Sequence, residues 1–102
     1  MPSRIAKTKT GIGSQAKIWN DNGHFAVQLH STVVYDETAD TIILDNGGWI
    51  TPTTVRYMNQ ALDYREVMAR VQIKDGEMLC NGQPFENGRF IMTKAEANQE
   101  VA

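Results

Sequence analysis

A chain of 102 residues, 41% hydrophobic and 22% charged, has the size and composition of one globular domain. Its formal charge of −2 gives no general attraction to nucleic acid or membranes, and its single cysteine forbids an internal disulfide. No apolar run approaches the ~20 residues of a membrane span.

Residues 1–14, MPSRIAKTKTGIGS, are polar and basic, lack the apolar stretch of a secretory signal, and read as a flexible basic arm before a single domain over 15–93. A cytoplasmic location is expected. QAKIWN is a short strand closed by Asn22-Gly23, a dipeptide suited to tight hairpins. HFAVQLHSTVVYD alternates as one long strand, bent or bulged near Ser31, with Phe25, Val27, Leu29, Val33 and Tyr35 on one face and His24, Gln28, His30 and Thr32 on the other. TIIL at 41–44 follows the turn ETAD and should pair with it. A helix is expected from residues 51–53 to 63–67, with Thr51 as its N-cap and Pro52 at N1. Val55, Met58 and Leu62 form its buried stripe, and Arg56, Asn59, Gln60 and Asp63 its wet side. The core should join that stripe to Phe25, Val27, Leu29, Ile43, Val71 and Ile73. Asp75-Gly76, Asn81-Gly82 and Asn87-Gly88 then punctuate a local meander of two or three strands, and 94–102 is a polar tail. The expected fold is α+β in two layers, one helix packed on a mainly antiparallel sheet, in the order βββαββ(β).

Leu44, Gly47, Gly48, Trp49, Thr51, Thr53, Thr54, Arg56, Met58 and Asn59 form a pattern with similar flanks in HSTVV (30–34), RVQIKDGEML and FENGRFIM. Over residues 24–92 the chain resembles a family of small proteins of unknown function encoded by tailed phages. Asp45-Asn46 and Ile50 depart slightly from that family, which often has a basic residue at the position of Ile50. The resemblance implies a phage origin, hence host cytoplasm, and no particular chemistry.

Trp49, Thr51, Thr53, Thr54, Arg56 and Asn59 are the candidate binding residues. The Gly47-Gly48 turn matches no phosphate-loop spacing and reads first as a turn needing positive φ, although the helix N-terminus behind it suits an anion. Trp49 is either a packing residue at the strand–helix junction or a stacking platform. Arg56 and Asn59 lie one turn apart, either merely solvated or placed to bind a partner. Arg4, Lys7, Lys9 and Lys17, with Trp19, are the nucleic-acid alternative, which would be weak and salt-sensitive. His24 and His30, roughly 20 Å apart on an extended strand, suit no single metal. The acids at 36–45 read as a solvated turn, and Cys80 lacks an evident base. No metal, cofactor or catalytic residue is expected. The chain reads as a non-enzymatic phage accessory protein that binds a host or phage protein. The alternatives are nucleic-acid binding or, less favoured, a nucleotide or small-molecule sponge at the 47–54 turn. Strand edges suggest a homo-oligomer.

Overall fold

Four strands precede the helix, because His30 takes a left-handed backbone conformation (φ 57°) and reverses the chain where a bent strand was expected. A computed structural model describes residues 12–13, 15–21 and 23–97. The elements are β1 (Ala16–Asp21), β2 (His24–Leu29), β3 (Thr32–Glu37), β4 (Thr41–Asp45), α1 (Pro52–Tyr64), β5 (Val71–Lys74), β6 (Glu77–Cys80), β7 (Gln83–Pro84), β8 (Arg89–Thr93) and the single turn α2 (Lys94–Ala97). They form a five-stranded antiparallel sheet in the order β1-β2-β3-β4-β8 and a three-stranded sheet β5-β6-β7. The α+β arrangement of one main helix on antiparallel strands is as expected, and α1 begins and ends inside its expected limits. The expected meander is present as β5-β6-β7, but RFIM is not part of it: after β7 the chain leaves the small sheet, and β8 pairs with β4.

The register defines the two faces of the large sheet. Ile18, Val27, Tyr35, Leu44 and Phe90 are successive cross-strand partners on the face beneath α1. All but Phe90 are buried, with Tyr57, Met58, Ala61 and Leu62 of the helix above them. Trp19, Ala26, Asp36, Ile43 and Ile91 form the neighbouring row on the opposite face. That face is open, and Ile91 on it is 64% exposed. Ile43 therefore sits outside the core in which it was expected; Ile42 and Leu44 point inward instead. Val33 also faces outward. The β2–β3 register shifts between Val27 and Gln28, which leaves Val34 as an extra residue on β3, and a bulge of this kind lets Val34 and Tyr35 both face the core.

Helix α1 buries Tyr57 and Ala61 as well as Met58 and Leu62, while Val55 is only half-buried. The stripe is rotated toward Thr54 and Tyr57 because the chain entering β1 also packs there. Ile12 is buried in the core, and the Gly13 N–H donates to Gln60 Oε1 at 2.9 Å. A side chain at Gly13 would collide with the Tyr57 hydroxyl. The folded part thus includes two residues assigned to the arm. The first turn of the expected tail also docks: Ala97 is buried, and Thr93 and Glu96 cap α2 reciprocally. Residues 1–11 and 98–102 lie outside the described residues.

Candidate functional site

The turn between β4 and α1 is built by its own side chains. Asp45 Oδ1 accepts the Gly47 N–H and Asn46 Oδ1 accepts the Gly48 N–H, each at 2.8 Å. Asn46 is buried, its backbone N–H donates to the Gly88 carbonyl, and its amide nitrogen reaches Met78 Sδ. The turn is thereby tied to both sheets. Gly47 has φ 59° and lies so close to Thr32 that a Cβ would collide with the threonine side chain. The result is a fixed loop that points Trp49 and Ile50 outward, 63% and 46% exposed.

Beyond them the helix starts as its sequence dictates. Thr51 Oγ1 accepts the Thr54 N–H at 3.2 Å, and Pro52 occupies the first turn. Trp49, Thr51, Thr53 and Thr54 line one cleft of about 370 Å³, with Leu29, His30, Thr32 and Val34 from the β2–β3 hairpin and with Gln15 and Asn46. Four of the expected binding residues are therefore together. Trp49 is not the packing residue one reading made it; its ring forms an exposed rim. The lining offers hydroxyl, amide, imidazole and indole groups over an apolar floor, and among the described residues it contains no lysine or arginine. Such a surface suits an apolar or amphipathic group better than a phosphate.

The other two candidates are elsewhere. Asn59 is half-buried, and its amide clamps β5: Nδ2 donates to the Val71 carbonyl and Oδ1 accepts the Val71 N–H, both at 2.9 Å. An amide used twice on backbone has little left for a ligand, so the expected wet, partner-facing Asn59 is corrected to a structural clamp. Arg56 is exposed, lies 5.5 Å from the centroid of the Tyr57 ring, and lines a separate groove with Val55 and Ile73. Lys17 and Trp19 are on the open face of β1, while Arg4, Lys7 and Lys9 lie outside the described residues.

One cluster went unread in the sequence. Glu37, counted with the acids of a solvated turn, is buried. Its carboxylate accepts from Tyr35 Oη at 2.8 Å, from Arg65 Nε and Nη2 at 3.0 Å each, and pairs with Lys94 Nζ at 2.8 Å. Burial alone would raise its pKa, but the hydrogen bonds from Arg65, Lys94 and Tyr35 outweigh it and hold the carboxyl down at about 2. Burial and the neighbouring Glu37 push the Tyr35 phenol up, and the Glu37 hydrogen bond raises Arg65. The Arg65 guanidinium also lies 5.1 Å from the centroid of the Phe25 ring. The signal that could have found the cluster was parity: Glu37 is two residues beyond Tyr35, on the inward face of β3.

His24 pairs with Asp36 across β2 and β3, and His30 is in the hairpin turn, so the two histidines do not share a strand. Among the described residues, no group of three or more His, Cys, Asp and Glu side chains is arranged to hold a metal ion. Cys80 is buried, which raises its thiol to about 11. No helix among the described residues is long and apolar enough to cross a membrane. No family model, curated protein or solved structure matches the chain.

Proposed function

We propose that this chain is a small non-enzymatic binding protein whose partner is another protein, engaged through Trp49, Ile50 and the threonine-lined cleft. The observation that carries the reading is the exposure of Trp49 on a turn fixed by Asn46 and two positive-φ glycines. A tryptophan on a fixed backbone with its ring in water is a ready anchor: it presents a large contact area and has only two side-chain torsions to order on binding. Thr51 and Thr53 beside it supply hydroxyls to orient a partner's polar groups. Action as a phage accessory protein, on a host or phage factor, is the setting supported by the sequence resemblance alone.

The experiment is affinity capture from infected host lysate with the wild type, Trp49→Ala and Arg56→Ala. Capture lost with Trp49→Ala and kept with Arg56→Ala supports the reading; capture retained by Trp49→Ala removes it. The nucleic-acid alternative draws on Lys17 and Trp19, adjacent on the open face of β1. A gel shift over a salt series, with and without residues 1–11, tests it. The deletion stops at residue 11 because Ile12 is part of the core. No retardation at low salt would retire that alternative.

A further inference from the structure

β1 stands at the edge of the large sheet and pairs only with β2 among the described residues. Two-residue hairpins fix which way its backbone points. Asp21 and His24 close the first hairpin, so their N–H and C=O groups face each other, and Lys17 and Trp19 share that direction. Leu29 and Thr32 close the second hairpin, which turns Gln28, Ala26 and His24 toward β1 and agrees. Ile18 and Asn20 therefore aim their backbone groups outward from the edge. The side chains of Lys17, Trp19 and Asp21 all lie on the open face of the sheet, two residues apart.

The other edge is blunted. The N–H and C=O of Arg89 are taken by Glu86 across a tight turn, and the N–H of Thr93 is taken by Glu96 Oε1. On β8 this leaves Ile91 between two occupied neighbours. β1 has no comparable device among the described residues, apart from the charge of Lys17.

The sequence Lys17-Ile18-Trp19-Asn20-Asp21 is self-complementary on one face. We infer that two copies of this chain pair through β1, antiparallel about a two-fold axis at Trp19. In that register Ile18 lies opposite Asn20 of the second copy, and the outward backbone groups of both strands form about four hydrogen bonds. Trp19 faces its own symmetry mate in a non-hydrogen-bonded pair, the closer of the two spacings. Lys17 of each copy faces Asp21 of the other. Among the described residues neither charge has an ion-pair partner within one copy, whereas His24 is already committed to Asp36 and Arg89 to Asp45. The apolar members of the open-face row, Ile91, Ile43, Ala26 and Trp19, then continue into a second row beyond the junction, and the interface is isologous, as closed dimers are. None of the paired residues 17–21 lines the cleft at Trp49, so this inference stands apart from the proposed function.

The test is sedimentation equilibrium of the full chain at micromolar concentration. The wild type is expected at twice its 11.4 kDa mass. Lys17→Asp sets like charges against each other twice, as does Asp21→Lys, and each variant alone should fall to monomer, its affinity lower by tenfold or more. An equimolar mixture of the two variants restores both opposite-charge pairs and should form a 1:1 heterodimer. Far-UV circular dichroism of each variant shows that it is folded. A monomeric wild type overturns the inference. So does a wild-type dimer that persists in both single variants, which would place the junction elsewhere, or a mixture of folded variants that stays monomeric.

Discussion

The two ends of α1 use polar groups in opposite ways. Beyond its C-terminus, Arg65 turns onto Glu37, where Tyr35 and Lys94 complete a buried cluster with its acceptors satisfied. Before its N-terminus, Thr51, Thr53 and Thr54 face a cleft rimmed by an exposed tryptophan. The first end has the denser charge and is a brace. The second has almost no charge and leaves an open cleft beside an exposed aromatic ring. Charged residues in a sequence mark chemistry only when the fold leaves them something to do.

Removing the brace should have the largest effect. Glu37→Ala leaves two cations and a phenol facing a void, and unfolding in urea should show a loss of about 3–5 kcal/mol. Leu62→Ala, on the buried side of α1, should cost ~2–5 kcal/mol by the same measurement; a loss below about 1 would contradict its burial.

Acid tests the brace without mutation. The folded pKa of Glu37 lies below its ordinary value of 4.5, so the native state binds fewer protons than the unfolded one and stability rises with pH. The contribution, on the order of 3 kcal/mol, is complete above about pH 4.5 and is lost as pH falls through about 2. Glu37→Gln should flatten that part of the stability profile. An unchanged acid limb would mean that another carboxylate sets it.

Asn59→Ala releases both backbone groups of Val71 and should cost about 1–3 kcal/mol. Arg56→Ala, on the exposed side of the same helix, should change stability by no more than ~0.5 kcal/mol. Trp49→Ala should be equally mild in unfolding while abolishing partner capture. A large stability loss there would make the tryptophan a packing residue and erase the contrast between the two ends.

The helix was legible because its signals are local: a threonine cap, a proline in the first turn and an apolar stripe at helical spacing. Four of the six binding candidates were legible for the same reason, since they lie at its start. The β2–β3 reversal was not. His30-Ser31 carries no glycine, and the alternation of HFAVQL runs on into TVVYD as though the strand were continuous. That one missed turn misplaced Val33, whereas Glu37 keeps the inward parity of Tyr35 and was passed over because it was counted with the acids of the following turn. The role of Asn59 depends on β5 lying beside the helix, and the placement of β8 depends on β4. Neither is a property of nearby residues.

β8 also has a temporal consequence. Arg89 and Asp45, which pair across the β4–β8 junction, are 44 positions apart, and Lys94 reaches Glu37 from still later in the chain. During synthesis the first four strands can zip as local hairpins, but β4 has no outer neighbour until residues 89–93 leave the ribosome. Until then TIIL, apolar and rich in β-branched residues, is an unprotected edge at the moment the nascent chain is most open to self-association. Closure of the large sheet therefore waits for β8, and long-range pairing of this kind is slower to form than a local hairpin.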